Sequence, residues 1–81
     1  MAKTLTLLTR AGCPLCDEMS ARVQSLLAGT RHTLAAVDVD GEPVLKAQYG
    51  WDVPVLFDGA VEICRHELNL PAFQQWLHAN A

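Results

Sequence analysis

Three features of this chain predict an α/β domain of order βαβαββα, a four-stranded mixed sheet flanked by three helices. Two apolar runs, Lys3–Thr9 ("KTLTLLT") and His32–Val39 ("HTLAAVDV"), bracket an amphipathic stretch of helical length. A third run, Val53–Phe57, is followed by Asp58-Gly59 and then Ala60–Cys64, the pattern of a β-hairpin. The chain then closes on Asn69, Pro71 and an apolar helical face of Phe73, Trp76 and Leu77.

Each element has its own warrant. Lys3–Thr9 is leucine-rich with little alternation, as expected of a strand buried on both faces. From Pro14 onward Leu15, Met19, Val23, Leu26 and Leu27 recur at helical spacing, and Gly29 suits the position just past the helix end. His32–Val39 reads as a second buried strand, joined to the first by a right-handed crossover and therefore parallel to it. Pro43 opens a short helix through Tyr49 that Gly50 terminates. Asp58-Gly59 has the signature of a type I′ turn. The "DVDGEP" run fails as a calcium loop: with Asp38 and Asp40 at the third and fifth positions, the first and twelfth are Ala36 and Ala47.

Length and composition narrow the function. Eighty-one residues, 51% hydrophobic and 19% charged, fit one soluble domain spanning 1–81. A formal charge of −3, from nine acidic and six basic residues, supplies no basic stripe, so neither nucleic acid nor an anionic membrane is an expected partner. No segment approaches the roughly 18 apolar residues of a membrane span, and "MAKTLTLLTR" is too short for a signal-peptide core, so the expected location is cytoplasmic and the expected state a monomer.

The chemistry concentrates in "TRAGCPLCDEM". With Pro14 as the first helical residue, Cys13 is the N-cap, and the backbone N–H groups of Leu15 and Cys16 have no helical acceptor. A thiolate on Cys13 can accept from them, and the helix dipole adds to the effect, so its acidity rises. Arg10 favours the thiolate, whereas Asp17 and Glu18 oppose it. Cys16, about one turn on and better covered, suits the resolving role. The pair is read as a dithiol that reduces disulfides by way of a mixed disulfide on Cys13.

At these residues the sequence resembles the glutaredoxins and, more broadly, the thioredoxin fold. "LLTRAGCPLC" is similar to the glutaredoxin strand that leads through a basic residue to C-P-Y-C, with Leu15 where tyrosine stands. "DVPVLFDG" resembles the T-V-P segment, strand and turn, with Asp52 in place of threonine. The resemblance implies a cis Pro54 facing Cys13 and a Val53 backbone that pairs with substrate as an added strand. It makes Arg10, Pro14, Leu15, Val53, Pro54, Cys64 and Arg65 the candidate substrate-contacting set. It also implies a protein or small-molecule disulfide as substrate, no bound cofactor, and glutathione or a thioredoxin-reductase-type enzyme as electron donor. Where glutathione-binding members carry a G-G pair, this chain has "CRHE", Cys64–Glu67. Side chains there narrow the approach of the γ-glutamyl end, so glutathione is expected to bind weakly, unless Arg65 supplies a new carboxylate contact.

Two other readings use the same residues. Cys13, Cys16, Cys64 and His66 form a candidate zinc set, although C-x-H is not a usual half-site. A non-catalytic thioredoxin-fold binding module is the other. Cys64 itself reads first as a small buried hydrophobe and second as a further resolving or regulatory thiol. His32 and His78 read as surface residues, and Trp51 and Trp76 as core or rim aromatics, with Trp51 also able to line a substrate groove.

Overall fold

The computed structural model describes residues 2–81. In chain order the elements are β1 (Thr4–Thr9), α1 (Pro14–Leu27), β2 (Thr33–Asp38), a single 3-10 turn (Val39–Gly41), α2 (Pro43–Tyr49), β3 (Val55–Asp58), β4 (Val61–Arg65) and α3 (Leu70–Ala79). The sheet runs β2-β1-β3-β4, with β1 parallel to β2 and antiparallel to β3, and β3 antiparallel to β4. This is the βαβαββα order expected from the sequence, in the thioredoxin-like α/β arrangement that the resemblance implies. Among the described residues no helix is long and apolar enough to cross a membrane.

Alternation along β1 divides the core between the two faces of the sheet. Leu5 and Leu7 meet Met19, Val23 and Leu27 of α1 and Phe73 of α3 on one face, together with Leu56 and Cys64. Leu8 points the other way, to Val39 and Val55, with Leu45 and Tyr49 of α2 packed alongside. The strand is therefore buried on both sides, as its lack of alternation predicts.

Three expectations need correction. The second strand is not buried: β2 lies at the sheet edge, and Ala35 and Ala36 are exposed because no strand flanks its outer side. The hairpin turn is one residue later than expected. Asp58 pairs with Val61, so Gly59 and Ala60 form the loop, and Gly59 (φ 59°) alone has positive φ, the type II′ pattern and not type I′.

His32, expected at the surface, is buried. Its Nδ1 accepts from the Lys3 backbone N–H at 3.0 Å, which requires Nε2 to carry the proton and donate it to the Asn80 carbonyl, also at 3.0 Å. With the ring edge-on to Trp76 at 4.9 Å, this neutral tautomer ties the start of β1 to the end of α3.

Candidate functional site

The site stands at the carboxyl end of β1, where the chain turns through Gly12 (φ 70°) into α1. Cys13 is the N-cap in an extended conformation and Pro14 takes the first helical position, where its missing N–H costs nothing. Cys13 Sγ accepts from the Cys16 backbone N–H at 3.1 Å. The two sulfurs lie at bonding distance, with Cα atoms 5.2 Å apart. That separation falls within the roughly 4.4–6.8 Å a disulfide tolerates. Cys13 is half-buried and Cys16 fully buried, so only the first sulfur faces solvent.

Leu15, expected on the apolar stripe of α1, is instead 48% exposed, while Cys16 beside it takes the buried face of that turn. A cavity of about 220 Å³ opens there, between Leu15, Glu18 and Arg22 of α1 and His66, Glu67 and Leu68 after β4.

Arg10 makes its polar contacts with Asp40 and Gly50. Its guanidinium pairs with Asp40 (Nε to Oδ1 3.1 Å, Nη2 to Oδ1 3.0 Å) and donates to the Gly50 carbonyl at 3.1 Å. The Asp40 carboxyl is held below its ordinary range by that guanidinium. The acidic run that fails as a calcium loop thus has a use: Asp38 Oδ1 caps the Asp40 N–H at 2.9 Å, and Asp40 fixes Arg10.

The segment before β3 lies at the same end of the sheet as the end of β1, since Val55 pairs with Leu8. The Val53–Pro54 peptide is cis, the isomer the resemblance implies. Asp52 joins this segment to the β4–α3 connection, reaching Arg65 Nη1 and His66 Nε2, each at 3.4 Å. The Pro54 carbonyl accepts from the His66 N–H at 2.7 Å. His66 holds a left-handed backbone (φ 68°), a conformation costing a non-glycine residue roughly 1–2 kcal/mol. Arg65 is also gripped by both carboxylate oxygens of Glu62, which holds the Glu62 carboxyl below its ordinary range and pushes the Arg65 guanidinium up. Its charge is therefore engaged within the protein.

Cys64 is 8% exposed and faces the core beside Leu5, Leu7 and Phe73, not the cavity. Burial pushes its thiol up, against the Asn69 backbone N–H that donates to it. The proposed zinc set is accordingly not assembled, and among the described residues no group of three or more His, Cys, Asp or Glu side chains is placed to hold a metal. Asp40, Asp52 and Glu62, which immobilise the two arginines, escape sequence reading. Only Asp52 carries a signal, as the residue standing where the resemblance has threonine.

The chain matches the Glutaredoxin-like domain (DUF836) family over residues 4–78. It is 37% identical over 59 residues to uncharacterized proteins of Mycobacterium tuberculosis and Mycobacterium bovis, an alignment covering 65% of this chain and 61% of theirs. The solution structure of a Nitrosomonas europaea protein superposes with a TM-score of 0.80 at 30% identity, covering 91% of this chain and 89% of that one. An X-ray structure of an X. campestris protein gives 0.72 at 33% identity, covering 93% and 96%. Thioredoxin 1 of Thermosipho africanus, at 20% identity and a TM-score of 0.62 over 95% and 97% of the chains, shares the fold.

Proposed function

The chain belongs to the glutaredoxin-like (DUF836) family, and from that premise we propose that it is a thiol-disulfide oxidoreductase working through Cys13 and Cys16. The observation that carries this reading is the Cys16 N–H aimed at Cys13 Sγ from the first turn of α1, with the second sulfur at bonding distance. In the reduced protein that donor and the helix dipole favour a thiolate on Cys13.

The thiolate attacks one sulfur of a substrate disulfide, forming a Cys13–substrate disulfide and expelling the other sulfur as a thiolate that takes up a proton. Cys16 then gives up its proton and attacks Cys13 Sγ, releasing the second substrate sulfur as a thiol. Two electrons and two protons pass to the substrate, and the protein ends as the Cys13–Cys16 disulfide. Return to the dithiol needs an external thiol or a reductase of the thioredoxin-reductase class. A protein disulfide is favoured over glutathione as substrate, because Arg65, the cation available for a tripeptide carboxylate, is already paired with Glu62 and Asp52.

The test is equilibration of the protein in dithiothreitol redox buffers, with thiols counted by alkylation and mapped. A single two-electron transition confined to Cys13 and Cys16, with reduction of a model protein disulfide that Cys13→Ser abolishes, supports the reading. Retained turnover in Cys13→Ser refutes it, and cysteines that never transfer electrons to a disulfide point to the binding-module alternative.

A further inference from the structure

We propose that Trp51 is a docking residue that selects polypeptide disulfides flanked by an apolar side chain. This rests on the thiol-disulfide reading above and names the substrate class for that site. Trp51 is 93% exposed, whereas the chain's other tryptophan, Trp76, packs against Phe73 and donates Nε1–H to Asp58 at 2.8 Å. An indole this exposed buries almost no apolar area in the fold, and large exposed aromatics are where protein partners are anchored.

The backbone on both sides of the indole is held while the ring itself is exposed. Before it, Gly50 is buried and its carbonyl accepts from Arg10 Nη1. After it, the Asp52 N–H donates to the Tyr49 carbonyl at 2.8 Å and the Asp52 carboxylate is tied to Arg65 and His66. The Arg10 guanidinium carbon lies 6.0 Å from the indole centroid. Little loop ordering therefore remains to oppose binding.

Two residues further on, neither the N–H nor the C=O of Val53 has a hydrogen-bond partner among the described residues. An extended polypeptide pairing there passes beside Trp51 at the end of the sheet that carries Cys13.

Charge favours the same occupant. Of the ionised groups around the cysteines, Asp17, Glu18 and Glu67 are exposed and enter no ion pair among the described residues, while Arg10 and Arg65 are neutralised by Asp40, Asp52 and Glu62. Arg22 is the one exposed cation on that side of the cavity. A net negative rim repels an anionic tripeptide and accepts a neutral or basic chain.

The test compares single-turnover oxidation of the reduced protein by two disulfide-bridged peptides, identical except for leucine or serine beside the reacting cysteine. Wild type is expected to favour the leucine peptide by about tenfold, the selectivity one buried apolar side chain can supply. Trp51→Ala should bring that ratio close to one, while Trp51→Phe keeps most of it. An unchanged ratio in Trp51→Ala overturns the docking role. Wild-type oxidation by the small neutral bis(2-hydroxyethyl) disulfide reads the dithiol chemistry separately: if it proceeds and the peptide ratio is one, only the docking role falls. If no disulfide oxidises the pair, the oxidoreductase reading falls and takes this inference with it.

Discussion

Asp52 Oδ2 lies 3.4 Å from Arg65 Nη1, and Glu62 grips the same guanidinium from within β4. Arg65 is thereby a brace between the cis-proline segment and the end of the last strand, with its guanidinium carbon over the Tyr49 ring at 5.9 Å. Pairs this exposed contribute little to stability, since solvent screens them. Their consequence is the occupancy of the cation.

The first prediction follows from that occupancy. Calorimetric titration with reduced glutathione should give a dissociation constant weaker than about 1 mM. Replacing Asp52 with threonine and Glu62 with glutamine together removes both carboxylates and should tighten binding by about tenfold, one charge-assisted contact regained. Micromolar affinity in the wild type would mean that Arg65 exchanges partners readily, and the brace would then be no barrier.

The fold was legible because its signals are local and agree with one another. Prolines in the first turn of each helix, Pro14, Pro43 and Pro71, and apolar spacing in α1 and α3 each specify an element without reference to distant residues. What was not legible depends on long-range partners. His32 is buried because Lys3 and Asn80, 29 and 48 residues away in sequence, satisfy both ring nitrogens. Arg10 is engaged by Asp40, 30 residues on. The burial of β2 was overestimated for a similar reason: composition does not reveal which strand the sheet order leaves at the edge.

Cys64 is predicted to be chemically quiet. A buried thiol whose proton burial holds in place presents little thiolate, and its sulfur faces Leu5 and Phe73 and not solvent. Alkylation of the reduced native protein at pH 7 should leave it unlabelled while Cys13 reacts, and denaturant should abolish the difference. Cys64→Ala should cost about 1–2 kcal/mol in chemical denaturation, as expected for a small cavity in the core. Native-state labelling at the rate of Cys13 would instead assign Cys64 a part in the redox cycle.

Acid should lower the protein's stability modestly through carboxylates at the ends of its elements. Trp76 Nε1–H, and after it the Lys3 ammonium, hold the Asp58 carboxyl below its ordinary 3.8, and Arg10 and Arg65 do the same for Asp40 and for Glu62, whose ordinary value is 4.5. A group depressed in the folded state contributes its stability in full above its unfolded value and loses it as pH falls through the folded one. The melting temperature should therefore be insensitive to these three groups above about pH 5 and decline below about pH 4. Asp58→Asn should melt lower than wild type at pH 7, with the gap closing below pH 3.8. A gap that persists undiminished at low pH would mean that the charge of Asp58 is not what stabilises the fold.

The division of labour between the two cysteines makes the last prediction. Cys16 is buried at the third helical position, and its backbone N–H, not its sulfur, stabilises a thiolate on Cys13. Replacing Cys16 with serine keeps that N–H and so keeps the attacking thiol active, while removing the only sulfur close enough to displace a bound substrate. Single-turnover reaction of Cys16→Ser with a disulfide-bonded protein, in the absence of added thiol, should accumulate one substrate chain per molecule on Cys13. Release of the fully reduced substrate should fall by at least about tenfold. Intact-mass spectrometry before and after reductant reads both quantities, with peptide mapping to locate the adduct. Wild-type release without an accumulated adduct would require a resolving thiol other than Cys16, and Cys64, facing the core 8% exposed, is not positioned to be it.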